Sequence, residues 1–65
     1  MKTREIRELT TAEITDRLVA ERDSLDRYTF NHAISPLDNP NLIKESRRTI
    51  ERMETELRNR ELNKQ

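Results

Sequence analysis

Apolar positions recur at helical spacing in two long stretches of the chain, and a polar interval carrying two prolines divides them. In the first stretch Ile14, Leu18, Leu25 and Tyr28 fall within one narrow stripe at the helical advance per residue. In the second, Ile43, Ile50 and Leu57 repeat every seven residues with Met53 beside them, the spacing of a coiled-coil seam. Glu21 and Ser46 interrupt that seam.

Local signals set the ends of both stretches. Thr10 and Glu13 have the spacing of a capping box, in which each side chain bonds an otherwise orphan backbone N–H. Leu9 and Ile14 occupy the two positions of a hydrophobic staple around it. Pro36 disfavours helical geometry in the residue before it, so the first helix should end near Ile34. Asn39 is a good N-cap, and Pro40 suits the first helical position, where no N–H is needed. The pattern therefore predicts one domain: an arm over 1–9, a helix over 10–34, a turn over 35–39, a helix over 40–62 and a tail over 63–65. Each helix should be about 35 Å long at 1.5 Å rise per residue, and so short a turn joins antiparallel neighbours. The expected fold is all-α, an antiparallel two-helix hairpin, coiled-coil-like, with a short N-terminal helical arm.

Composition favours an elongated object over a compact globule. Of 65 residues only 31% are hydrophobic and 40% are charged, which leaves a thin seam rather than a thick core. So polar a chain also suits disorder, but the absence of glycine, the balanced charge and the ordered spacing oppose that reading. Each fully buried seam residue contributes at most ~1.5–3 kcal/mol against about 1–2 kcal/mol per ordered residue. The hairpin should therefore rely on a partner. No cysteine is present, which fits an intracellular home. No apolar run approaches bilayer length, and "MKTREIRELTT" lacks the apolar core of a secretory signal. The expectation is a soluble cytoplasmic protein without membrane insertion.

Net charge is zero, but its distribution is uneven. Residues 1–9 carry net +1, residues 10–34 net −2 and residues 44–65 net +2. On the second helix Lys44, Arg48 and Arg52 form a ridge opposite the seam, prolonged by Thr55 and Asn59 and flanked by Arg47 and Arg58. Guanidinium groups at this pitch suit phosphates, which they hold in a bidentate fork. The alternative is an ordinary solvated face, supported by the acid-first pairs Glu13–Arg17, Asp23–Arg27, Glu54–Arg58 and Glu56–Arg60. Arg48 and Arg52 have no acid four residues before them. Lys2, Arg4 and Arg7 form a second basic group, which taken alone reads as a frayed terminus. Val19 and Phe30 lie off the seam, on the far face of the first helix with Ala12 on the same side, and are candidates for contact with a protein partner, although isolated exposed apolar residues are common.

The chemistry of catalysis is absent from the pattern. His32 stands in line with the seam near the turn, without a second His, a Cys or clustered carboxylates, and reads as a packing or turn residue. No glycine-rich phosphate loop can exist without glycine, and no nucleophile–base set is visible. An arginine-rich oligomeric bundle binding a dicarboxylate, of the chorismate mutase type, is the weak remainder of an enzymatic reading. No catalytic residue, metal, cofactor or small-molecule substrate is expected.

The order "REIREL", "TTAEI", "NPNLIK" and "RRTIERMETELRNREL" resembles bacterial ribosomal protein twenty-nine of the large subunit over nearly the whole chain. The matching positions are Arg47, Arg48, Ile50, Arg52, Met53, Thr55 and Leu57 on the second helix. In the N-terminal part they are Lys2, Ile6, Arg7, Leu9, Thr10 and Glu13. The resemblance implies a helical hairpin on the surface of the large subunit, near the mouth of the nascent-peptide tunnel. It also implies contacts with large-subunit rRNA and with ribosomal protein twenty-three, at a rim where the signal recognition particle and the trigger-factor chaperone dock. Carried over by position, rRNA contacts fall on Lys2, Arg7, Arg47, Arg48 and Arg52, with Arg4 and Lys44 added from position and charge.

The chain departs from the family pattern in three ways. Members are usually basic, whereas this chain is neutral. Glu51 and Glu54 stand where a small and a basic residue are common, and "ISPLDNP" replaces a turn that frequently contains Gly-Gln. The reading is a structural ribosomal protein, not an enzyme. The alternative is a free hairpin adaptor or small regulatory protein docking through its seam or its Phe30 face.

Overall fold

The computed structural model describes residues 1–34 and 40–64. Helix α1 spans Thr3–Arg7, α2 spans Thr11–Ile34 and α3 spans Asn41–Asn63, and no strand occurs among the described residues. The two long helices pack against each other as a hairpin, and α1 packs on α3. The whole measures 46 × 17 × 16 Å. The turn expected over 35–39, with Pro36 and the Asn39 cap, lies outside the described residues, as does Gln65 of the tail.

The start of α2 follows from two side chains. The Thr10 N–H donates to Glu13 Oε1 at 2.9 Å, and the Glu13 N–H donates to Thr10 Oγ1 at 3.1 Å. This is the reciprocal capping box that the spacing predicts. Its effect on the carboxyl group is direct: Glu13 is held below its ordinary value of 4.5, first by the Thr10 backbone N–H, then by the Thr10 hydroxyl, with Arg17 contributing. Pro40 takes helical dihedrals (φ −68°, ψ −15°) at the entry to α3, and its carbonyl accepts the Lys44 N–H.

The core is a thin apolar line shared by all three helices. Ile6, Ile14, Leu18, Ile50 and Met53 are buried, with Met1, Leu9, Leu25 and Leu57 packed against them. Ile43 is half-buried, and Tyr28 keeps 36% of its surface exposed. On α3 the buried residues Ser46, Thr49, Ile50 and Met53 follow one another at the spacing of a single helix face. The two polar interruptions of the seam meet: Ser46 Oγ donates to Glu21 Oε2 at 3.1 Å. A buried hydroxyl with a partner avoids the desolvation cost that an unpaired one would carry.

The arm is not frayed. Five helical residues cannot hold a helix alone, because isolated helices below ~12–15 residues are marginal in water. Docking supplies what propensity lacks, since Ile6 is fully buried against the hairpin. Burial of one such side chain is worth about 1.5–3 kcal/mol. Charge alone marks the arm as a loose terminus, and one isoleucine reverses that.

Candidate functional site

The arm and α3 enclose a shallow groove of about 290 Å³, lined by Thr3, Arg7, Arg48, Glu51, Arg52, Thr55, Glu56 and Asn59. Three guanidinium-bearing residues from two elements meet here. Arg48 and Arg52 come from successive turns of α3, and Arg7 closes the groove from the last turn of the arm. Thr55 and Asn59 line the same groove further along α3. Arg7, Arg48 and Arg52 have no ion-pair partner among the described residues. Arg52 Nη1 donates to the Met1 carbonyl at 2.7 Å, which steers that side chain toward the arm.

The other basic residues singled out by sequence spread beyond the groove. Lys2, Arg4, Lys44 and Arg47 are exposed and do not line it. Val19 and Phe30 are each 65% exposed on α2, and Ile34 at its end is 68% exposed. His32 is half-buried, and its Nδ1 has no hydrogen-bond partner among the described residues. Among the described residues no group of three or more His, Cys, Asp or Glu could hold a metal ion. No helix among them is long and apolar enough to cross a membrane.

The acidic residues divide between distinct tasks. Asp23 accepts from Arg27 at 2.9 Å and Glu56 accepts from Arg60 at 3.1 Å, both one helical turn apart. Glu54 does not pair with Arg58; it meets Arg22 across the hairpin instead. The antiparallel packing brings Arg22 within reach, and spacing along one helix cannot anticipate it. Glu51 lines the groove between Arg48 and Arg52 with no ion pair among the described residues.

Sequence reasoning gave Arg60 only its neighbour Glu56, whereas the structure gives it four partners. Beside the bond to Glu56, Nη1 donates to Thr11 Oγ1 at 3.1 Å, and Nη2 donates to the carbonyls of Arg7 at 3.2 Å and Leu9 at 2.8 Å. These carbonyls belong to the end of α1 and the connection after it, where backbone acceptors lack helical partners. No local signal marks this clasp, since its partners lie 49 to 53 residues away along the chain.

A protein-family model described as Ribosomal L29 protein matches residues 4–60. The chain belongs to that family. The match takes in most of the arm, all of α2, most of α3 and every residue lining the groove except Thr3. Proteins named large ribosomal subunit protein uL29 are similar along almost all of the chain. The one from Parabacteroides distasonis is 57% identical over 97% of this chain and 97% of its own length. That from Bacteroides thetaiotaomicron is 54% identical over the same shares. A more distant relative from Carboxydothermus hydrogenoformans is 43% identical over the full chain and 94% of its own. No solved structure matches the chain. The L29 family is structural and non-enzymatic.

Proposed function

We propose that the chain is a structural constituent of the cytoplasmic large ribosomal subunit and lays its arm and α3 along rRNA backbone near the mouth of the nascent-peptide tunnel. Family membership supports the assembly, and the carrying observation is the groove that gathers Arg7, Arg48 and Arg52 without ion-pair partners among the described residues. Paired forks from two elements suit adjacent phosphates and recognise backbone shape rather than sequence. Lys2, Arg4, Lys44 and Arg47 extend the contact at either side of the groove. Val19 and Phe30, exposed on α2, are assigned to a neighbouring protein, ribosomal protein twenty-three. At the tunnel rim the hairpin would border the surface where the signal recognition particle and trigger factor dock.

Phosphate contacts release counterions, so binding of the free chain to rRNA should weaken steeply with salt. The test is sedimentation of the tagged chain with large subunits after a high-salt wash. Recovery in the large-subunit fraction is expected, and recovery only in the soluble fraction would contradict the proposal. The exposure of Val19 and Phe30 favours one second reading, a free adaptor. That protein would tolerate alanine at Lys2, Arg7, Arg48 and Arg52 yet fail on Phe30→Ala.

A further inference from the structure

We infer that Arg60 is a positioning residue for the groove: its guanidinium clamps the arm onto α3 and so sets Arg7 opposite Arg48 and Arg52. The inference rests on the rRNA reading of that groove and adds a residue that need not touch RNA itself.

The geometry carries it. Glu56 holds Arg60 Nε at 3.1 Å on the side of α3, and the pair is only 24% and 15% exposed. From that fixed base the two terminal nitrogens reach the Arg7 and Leu9 carbonyls and the Thr11 hydroxyl. One planar fork thus grips the end of α1, the connection after it and the first residue of α2. The carbonyl it takes from Arg7 belongs to the residue whose side chain lines the groove. Ile6 provides the apolar half of the docking, but a buried isoleucine fixes depth better than rotation. Directional hydrogen bonds fix the angle at which the arm presents Arg7. Lysine keeps the charge but lacks the planar fork that engages several acceptors at once. Glu56 therefore serves the clasp, although it lines the groove as a carboxylate beside the phosphate position.

The test uses the full chain and protein-free large-subunit rRNA, with affinity measured across a salt series. Arg60→Lys and Arg60→Ala should each weaken binding by about tenfold, the order of one lost charge-assisted contact. The slope of log affinity against log salt should fall by about 1, as in Arg7→Ala, because the Arg7 contact is lost in each. The double variant R7A/R60K should bind no more weakly than Arg7→Ala alone, since Arg60 acts through Arg7. Additive losses, or an unchanged slope in Arg60→Lys, would overturn the positioning role. Loss of helical circular dichroism in both Arg60 variants would also overturn it, in favour of a role in holding the whole hairpin. Absence of any wild-type binding to the rRNA would remove the rRNA reading together with the inference. Wild-type binding with additive losses removes the inference alone.

Discussion

Thr10 and Glu13 show how a single turn of chain can be fixed by its own residues. Both of their hydrogen bonds run over three residues, so the spacing alone was enough to find them. Thr10→Ala should cost about 1 kcal/mol of stability, the usual cost of losing an N-cap, measured by urea unfolding. The Glu13 carboxyl adds a pH dependence with a definite sign. Its value in the fold lies below 4.5, so its stabilising effect is complete above the unfolded value and is lost as pH falls through the folded one. Acid titration of the wild type followed by helical circular dichroism should show this loss, and Glu13→Gln should lack it. Arg60 is the opposite case. Its partners are remote in sequence, and only the packed arm reveals them.

The arm is helical, as the sequence pattern predicts, but how it is held is not written in its charge. Its three basic residues, taken alone, read as a frayed terminus, whereas Ile6 is fully buried and Leu9 packs against the core. A five-residue helix holds only with its dock, so its stability depends on packing rather than on local propensity. Ile6→Ala should remove most of that dock at about 2–5 kcal/mol, the range for such a truncation in a core. Hydrogen exchange should then quicken at Arg7 and Leu9 well before the amides of α2 and α3 respond. Uniform acceleration across all three helices would mean that the arm is inseparable from the hairpin. The long helices were legible because each combines a periodic seam with end signals, and Glu21 and Ser46 interrupt the seam as a bonded pair. The cross-helix pair of Arg22 and Glu54 was not legible, and it contributes little because both side chains are about half exposed. A double-mutant cycle on Arg22→Ala and Glu54→Ala should give a coupling energy below about 1 kcal/mol.

At the scale of the whole molecule, the zero net charge conceals a polarised rod. Residues 10–34 carry the negative excess, whereas the arm and residues 44–65 carry the positive one. A polyanion therefore meets a favourable side and an unfavourable side of the same hairpin. The basic ridge of α3 was readable from periodicity, because residues four apart share a helix face. Its completion by Arg7 was not readable, since it depends on how the arm is turned and held. The family resemblance spans both the arm and α3, a link that periodicity within one helix cannot make. Among the acidic residues Glu56 pairs with Arg60 as its spacing predicts, Glu54 turns instead to Arg22 on the other helix, and Glu51 faces the groove with no ion pair among the described residues.

The central claim is that the α3 side of this rod holds the chain on the ribosome. The direct measurement is occupancy of the R48E/R52E variant in purified large subunits, counted against the wild type expressed beside it. Both side chains are exposed, and the bond Arg52 makes goes to the Met1 carbonyl ahead of α1, so reversing their charge should leave the helices intact. Occupancy well below the wild-type level, with unchanged helical circular dichroism, is the predicted result. Occupancy equal to the wild type would contradict the account.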